Sequence, residues 1–527
     1  MLKTYNLKLT TKTTDINMKK LFKYLFIGMF GMLVLSSCDS KLLETEPTDS
    51  MSGSTFMSDA TKALVPLNGI YRSMYTAGWS TTGNTHQCFG ISAYNMMAET
   101  MGDDFVMGAS GSGWFWYDAA YDVKDAYTSG AWRSYDLWMA YYTWVANANY
   151  IIAAEETMSG SPSEVGYAIG QAYAIRAYSY FMLSQYFART LVGHENEPCV
   201  PLYTSPTTPE TKGQPRSTNA EVYAQIEKDI DKAIELLKGT ELKDKSHIGY
   251  AVAQALKARI CLVENKWNDA KTAAHAAIDA SGCSVQPIAS FAGMNNVGAN
   301  NVMWGAGIIA DQVGMYASFF AHMDLESGVA YATGAPKRIN KELYAKMSAT
   351  DARKAWWDPA QNCQQEKFHF SDASTWLGDY IFMRVEEMYL TAAEAECRLN
   401  DEASAKADLM AVMSMRDPSY STSKTGVALG KTSSPADETG SLLEEILIQR
   451  RIELWGEFGR MYDLKRLKQG FRRTTSQGWP EAALLAAKPT DDPEAYMNVL
   501  TIPQAEFDGN ENMSIEKDQN PEGDYKK

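Results

Sequence analysis

The chain has 527 residues, of which 45% are hydrophobic, and its formal net charge is −15 at pH 7. This acidic balance argues against nucleic acid and against anionic membrane surfaces as partners. The hydrophobic content is that of a globular protein with a large core, and the length allows two or three domains or one large domain.

The first predicted element is an export signal. A short basic segment at 18–20 precedes an almost wholly apolar run over 21–35, and small residues then lead to Cys38. This is the layout of a secretory signal, and a cysteine directly after the cut is typical of bacterial lipoproteins. We expect translation to begin at Met18, residues 1–37 to be removed, and a lipid on Cys38 to anchor the chain without spanning the bilayer. An ordinary signal peptide or an N-terminal anchor helix is the alternative.

Residues 38–58 are polar and are predicted to form a flexible tether, and helical spacing dominates after it. The apolar periodicity predicts helices over 60–74, 91–101, 131–155, 164–187, 219–237, 247–264, 268–280 and 442–454. Thr218 followed by Glu221 supplies a start signal for the helix over 219–237. Two stretches, 78–87 and 102–121, are predicted to be loops. The long region 283–376 is rich in Gly, Asn and aromatic residues and shows little helical periodicity.

Two segments, 256–270 and 391–405, share one rhythm of a helix, a tight turn and a second helix. The matched positions are Ala258 with Ala393, Asn265 with Asn400, and Ala270 with Ala405. Small residues at such places let two antiparallel helices pack closely, as in tetratricopeptide hairpins. We therefore expect a mainly α fold with tetratricopeptide-like helical hairpins and a loop-rich ligand-binding subdomain. Two unrelated amphipathic hairpins are the alternative.

Metal and catalytic signatures are weak in this sequence. After Cys38 the cysteines are widely spaced, with no C-x-x-C and no Cys/His cluster, so we expect no metal site and no cofactor. The adjacent Asp103 and Asp104 have residue types that serve glycoside hydrolysis or cation binding. A role at a helix end or in a loop is far commoner, and we expect no enzyme activity.

The chain resembles the SusD/RagB family of outer-membrane nutrient-binding lipoproteins. The signal that ends at Cys38 and three motifs, which occur in the family's order, carry the resemblance. The first motif is Arg176-Ala177-Tyr178 within 170–187, and the second runs from Arg384 to Ala395 within 380–395. The third runs from Gln449 to Arg466 and includes Arg450, Glu453, Glu457 and Arg460. The sequence departs from the family pattern at Gln449 and Phe458. The spacing of the last motif lets its opposite charges pair on one helix face, which favours a structural ion-pair network over chemistry.

The resemblance implies a cell-surface binder, held in the outer membrane through its lipid alone, that delivers nutrients to a SusC-like TonB-dependent transporter. Its ligand would be a glycan, with a peptide as the nearest alternative. A tetratricopeptide-type interaction scaffold without a soluble ligand is a further alternative. The resemblance also implies a division into an N-terminal region at 59–282 and a C-terminal region at 283–527, with a loop-rich insertion at 283–376 and helices over 378–466.

Sugar binding requires flat aromatic faces and fixed polar groups, and two loop clusters offer them. The first cluster supplies Trp79, Asn84, Trp114, Trp116 and Tyr117, together with His86 and Phe115. The second supplies Trp304 and Tyr316, together with Phe319, Phe320 and Tyr331. Core packing is the alternative role for each of these rings.

Overall fold

Helical hairpins form most of the computed structural model. It describes residues 56–76, 84–108, 114–122, 127–314 and 316–521, except for the side chain of Tyr496. The predicted signal, the lipidation site Cys38, most of the tether and Trp79 lie outside the described residues. The residues after Thr55 form one compact unit, and the predicted division at residue 283 stays a prediction.

The long helices match the apolar periodicity of the sequence. The described helices are α1 (Leu64–Ser73), α2 (Ile91–Thr100), α3 (Trp116–Ala119), α4 (Trp132–Ile152), α5 (Pro162–Phe187), α6 (Asn219–Leu237), α7 (Tyr250–Val263), α8 (Trp267–Ser281), α9 (Phe319–Met323), α10 (Ala330–Thr333), α11 (Lys341–Tyr344), α12 (Val385–Arg398), α13 (Glu402–Met413), α14 (Leu442–Glu453), α15 (Arg460–Leu467), α16 (Gln504–Gly509) and α17 (Ile515–Asp518). The predicted start signal of α6 is confirmed, because Thr218 and Glu221 form a reciprocal capping box there. None of the helices in these ranges combines the length and apolarity that a bilayer crossing needs.

The hairpins α7–α8 and α12–α13 share one turn geometry, as the matched sequences predict. Asn265 and Asn400 both adopt left-handed backbone, with φ of 56° and 62°. Each turn is closed by the same hydrogen bonds: the amide of Lys266 donates to the Cys261 carbonyl at 3.0 Å, and that of Asp401 to the Glu396 carbonyl at 2.9 Å. Asparagine tolerates this conformation better than other non-glycine residues.

The hairpins stack into one continuous row. Helices α4, α5, α6, α7, α8 and α12 pack each against the next, and α12 also contacts α13 and α14. The four matched alanines are all fully buried at the helix contacts. The mainly α, tetratricopeptide-like fold class is therefore confirmed.

Four of the eight described strands lie in the region 283–376, which has little helical period. The eight strands are β1 (Phe105–Met107), β2 (Pro198–Pro201), β3 (Arg216–Thr218), β4 (Val302–Ala306), β5 (Lys337–Ile339), β6 (Trp357–Asp358), β7 (Gln364–Gln365) and β8 (Tyr380–Arg384). Strands β1, β5, β7 and β6 form one antiparallel sheet in that order, β2 pairs with β3, and β4 pairs with β8. Strand β1 thereby joins the segment before Trp114 to the segment after Tyr331.

A buried ion network lies where α14 meets β8. Glu453 accepts from Arg416 at 2.8 and 2.9 Å and from Arg384 at 3.1 Å, and Arg353 lies 3.5 Å away. All four side chains are fully buried. Arg384 also binds Glu457, at 2.8 Å through each of two nitrogens. The predicted structural network of the last motif is therefore present.

The partners within that motif differ from the prediction. Helix α14 ends at Glu453 and Arg460 begins a new helix, so helical spacing does not connect the two. Arg460 instead lies 3.0 Å from both Asp103 and Asp104, which also bind Arg451. Burial raises the pKa of Asp103, but Arg460 and Arg451 outweigh it and hold that pKa below its usual value. The two aspartates thus hold charged helix ends in place.

The segment after α15 packs back over the first helices. The Arg473 guanidinium donates to the carbonyls of Thr100, Gly102 and Ala119. Near the other end of the segment, the Asn520 amide donates to the carbonyls of Phe187 and Leu500 at 2.8 Å each. The C-terminal residues therefore wrap over the body of the protein.

Candidate functional site

The two predicted loop clusters meet in space. His86, Trp114, Tyr316 and Tyr331 form one group of rings, here called the aromatic cluster. Trp114 lies 4.0 Å from Tyr331 between ring centroids, and His86 lies 5.7 Å from Trp114 and 5.5 Å from Tyr331. Tyr316 lies 5.7 Å from Tyr331 and 6.4 Å from His86.

Hydrogen bonds between side chains and backbone position the residues next to His86 and Trp114. The Phe115 backbone is left-handed, with φ of 63°, and its N–H donates to Gln87 Oε1 at 2.6 Å. The Gln87 carbonyl in turn accepts from Arg133 on α4 at 2.7 Å. A bulky residue in this conformation is strained, and the surrounding contacts must hold it there. The loop of Trp114 is thus tied to the short turn that carries His86.

A buried histidine supports the cluster from below. His322 is fully buried, its ring stacks on Tyr331 at 5.1 Å, and its Nε2 donates to the His86 carbonyl at 2.7 Å. Within the described part of the chain, its Nδ1 has no hydrogen-bond partner. Burial, with the nearby Lys337, lowers the pKa of His322 well below its usual value, so the ring is neutral at pH 7.

Lys337 completes the floor of the site. Its ammonium donates to the Tyr331 carbonyl at 3.2 Å, and the residue is 1% exposed. Burial lowers the pKa of Lys337 to about 7. The Tyr331 hydroxyl bonds to His86 Nδ1 at 2.8 Å, so the rings of the cluster are fixed relative to one another before any ligand arrives.

The upper part of the cluster is accessible to a ligand. Tyr316 is 50% exposed, and His86 and Trp114 are half-buried. Asn84 is also half-buried and makes no side-chain cap bond to the turn that follows it. Accessible ring faces match what a sugar requires, since C–H groups pack on the rings and hydroxyls bond to nearby polar groups.

The remaining predicted site residues lie outside the aromatic cluster. Trp304 is 1% exposed, packs against Tyr178 and Phe382, and donates from Nε1 to the Ser246 carbonyl at 3.1 Å. Its indole is therefore part of the core between β4 and the helices, where it cannot contact a ligand. Trp116 is 8% exposed and belongs to the core as well, whereas Tyr117 is half-buried beside it.

A second concave surface lies elsewhere on the molecule. It is a groove of about 390 Å³ between α4, the segment 203–213 and α16, with Trp138, Tyr142, Tyr203 and Glu506 in its lining. Trp138 Nε1 donates to Glu506 at 3.1 Å, and Tyr142 donates to the Pro201 carbonyl at 2.7 Å. The aromatic cluster is the better candidate for a ligand site, because rings from both predicted loop clusters converge there and Tyr316 is 50% exposed.

Family models match both halves of the chain. Residues 88–262 match a SusD-like family described as starch-binding and associating with the outer membrane, and residues 288–522 match the SusD family. A search of curated proteins found no match.

Solved structures share the fold at low sequence identity. A SusD-like carbohydrate-binding protein from Bacteroides vulgatus is 24% identical with a TM-score of 0.72, over 89% of this chain and 100% of that one. A SusD superfamily protein from Bacteroides thetaiotaomicron is 21% identical with a TM-score of 0.69, over 88% and 100%. A surface glycan-binding protein A from Bacteroides thetaiotaomicron, solved with laminarihexaose, is 17% identical with a TM-score of 0.63, over 87% and 99%.

Proposed function

Because this chain belongs to the SusD/RagB family, we propose that it is a cell-surface binder of oligosaccharides or polysaccharides that acts without catalysis. It captures a glycan at the aromatic cluster and delivers it to a SusC-like TonB-dependent transporter in the outer membrane. The affinity must be weak enough for release, since a ligand that never leaves is never transported.

The geometry of the aromatic cluster carries the glycan proposal. Rings from two segments more than 200 residues apart in sequence converge, and a hydrogen bond between Tyr331 and His86 fixes them. The half-exposed Tyr316 and the half-buried Trp114 offer faces to a pyranose. The relative solved with laminarihexaose supports a glycan as the class of ligand.

The cellular setting of the proposal rests on the N-terminal sequence and the family. The basic and apolar segments before Cys38 support export and lipid attachment. Family membership supports a SusC-like partner and an outer-membrane, cell-surface location. The lipid is the proposed contact with the membrane.

The proposal is tested by affinity electrophoresis of the mature chain in gels that contain plant, host-mucin or microbial polysaccharides. We expect one glycan to retard the wild-type protein, and Trp114→Ala and Tyr316→Ala each to weaken the retardation about tenfold or more, because central aromatic contacts dominate such interfaces. Tyr150→Ala is the matched control. Tyr150 is 45% exposed and lies on α4, which contributes no ring to the aromatic cluster.

Two alternatives predict different results. A peptide-binding protein shows no retardation by any glycan but binds oligopeptides, with loss in the same variants. An interaction scaffold without a soluble ligand binds neither glycans nor oligopeptides. The exposed ring of Tyr316 argues against this alternative, because a scaffold does not need an exposed aromatic ring at this site. Equal retardation of the wild type and both cluster variants would show that the glycan binds outside the aromatic cluster.

A further inference from the structure

Three helices of the hairpin row bring metal-ligating side chains together. His275 on α8, Glu396 on α12 and Asp408 on α13 each offer one ligand atom, and these atoms all lie within 4.8 Å of one another. His275 Nε2 lies 2.7 Å from Asp408 Oδ2 and 3.8 Å from Glu396 Oε1. The residues are separated by up to 133 positions in sequence, so only the packing of the hairpins unites them.

Glu396 has an unsatisfied charge in this cluster. Its side chain is 3% exposed, and its Oε2 has no hydrogen-bond partner among the residues that the structure describes. Glu394 on the same helix is also buried, but it binds Arg466 through two bonds of 2.7 Å and Arg398 through one of 3.1 Å. A buried carboxylate without a cation is costly, so the environment of Glu396 lacks a positive charge that Glu394 has.

The neighbours of Glu396 make the charge deficit larger. Asp408 places a second carboxylate on the same imidazole, with its Oδ2 2.7 Å from His275 Nε2, so two acidic groups share one histidine. His275 is the cationic partner beside them when protonated, and its imidazole is 42% exposed. Two carboxylates and one neutral imidazole carry a charge of −2, which a divalent cation would neutralise.

We propose that His275, Glu396 and Asp408 form a binding site for a divalent transition-metal ion, with Zn²⁺ as its best-fitting occupant. One imidazole nitrogen and two carboxylate oxygens are ligands that Zn²⁺ accepts in tetrahedral geometry, whereas Ca²⁺ and Mg²⁺ require oxygen-rich shells. Ligand atoms about 2.0–2.2 Å from tetrahedral zinc lie roughly 3.3–3.5 Å apart. The 2.7 Å and 3.8 Å separations from His275 lie within about 1 Å of this spacing, and the third separation, between the two carboxylates, is within 4.8 Å.

The site would act as a clamp between neighbouring hairpins. Helix α8 belongs to one hairpin and α12 and α13 to the next, so one ion would cross-link the two units. The exposed side of His275 leaves the fourth coordination position open to water. Zn²⁺ bound to the folded protein alone stabilises it by mass action. This inference is independent of the proposed glycan function.

The test uses the purified chain without a polyhistidine tag, stripped with chelator and titrated with Zn²⁺ in a calorimeter. We expect one ion per chain, with a Kd at or below about 10 μM, and a higher melting temperature in the presence of the metal. His275→Ala and Asp408→Asn should weaken binding at least about tenfold. Glu396→Gln should do the same while keeping the metal-free protein at least as stable as the wild type, since it removes an unpaired buried charge.

His194→Ala serves as the matched control. His194 Nε2 lies 2.9 Å from Glu494 and forms a histidine–carboxylate pair outside the proposed site, so the variant should bind Zn²⁺ like the wild type. Absence of zinc uptake by the wild type would overturn the proposal and leave a simple ion pair between protonated His275 and Asp408. Uptake that persists unchanged in all three site variants would overturn it as well.

Discussion

The substitution Glu453→Gln should destabilise the whole protein while leaving its shape intact. Glu453 is the shared acceptor of Arg384 and Arg416 and lies close to Arg353, and all four side chains are fully buried. Glutamine has the same size but no charge, so the guanidinium groups would keep their positive charges without this counter-ion. Breaking a buried ion pair by removing one partner typically costs about 3–5 kcal/mol.

The expected change in melting temperature follows from the size of the protein. Unfolding entropy is about 2.1 cal/mol/K per residue, so a body of roughly 470 residues has about 1 kcal/mol/K, and the melting temperature should fall by about 3–5 °C. Urea unfolding followed by circular dichroism, together with calorimetry, measures both quantities. The control is Glu511→Gln, because Glu511 is 65% exposed and pairs with Lys212 at 3.5 Å. It should change the unfolding free energy by less than about 0.5 kcal/mol.

A double variant separates surplus charge from lost hydrogen bonds. Arg416 keeps Glu386 as a partner at 2.9 Å in Glu453→Gln, but the buried network then carries one surplus positive charge. If that surplus causes the loss, Arg416→Met added to Glu453→Gln should recover part of the stability, because the surplus is removed. A loss below about 1 kcal/mol in Glu453→Gln, or a double variant whose loss is the plain sum of the two single losses, would refute this reasoning.

Three further predictions concern single residues. Burial raises the pKa of Glu394, but Arg466 and Arg398 outweigh it and lower that pKa to about 2. The ionised carboxylate therefore stabilises the fold fully above about pH 4.3, and about 3 kcal/mol of this stabilisation is lost as the pH falls toward 2. The variant Glu394→Gln should flatten this part of the curve of unfolding free energy against pH. Thr218→Ala removes the cap of α6 and should cost about 1 kcal/mol in urea unfolding, whereas a cost near zero would mean that water satisfies the helix end. Asn400→Val should lower the melting temperature more than Asn400→Gly does, because φ there is 62° and a β-branched residue is strained in that conformation; equal effects would contradict this.

Local periodicity predicted the helices well, because apolar spacing and caps depend only on residues that are close together in the sequence. The bounds of α6 agree with the prediction at both ends, and the matched asparagines of the two turns adopt the same left-handed backbone. The partners of the last motif were not predicted, because Gly456 and Gly459, both with positive φ, separate Glu453 from Arg460. Helical spacing does not extend across such a break.

The ligand site was predicted in part. Composition alone indicated Trp114 and Tyr316, because their loops are rich in small polar residues, but it did not show that the two loops meet or that Trp304 is in the core. His322 and Lys337 were missed, since nothing in their local sequence distinguishes a supporting residue under a site from any other core residue. The group of His275, Glu396 and Asp408 was missed for a related reason: each ligand belongs to a different helix.

The return of the C-terminal segment over the first helices has a consequence for how the chain folds. Arg473 and Asn520 satisfy backbone carbonyls of Thr100 and Phe187, more than 300 residues earlier. A nascent or translocating chain that still lacks its last fifty or so residues therefore has no partner for these groups, and its earliest helices cannot complete their packing. Contacts of such long sequence separation slow folding, because a large loop must close before they form. The protein should therefore reach its native state only after its final segment has been synthesised and can pack against the first helices.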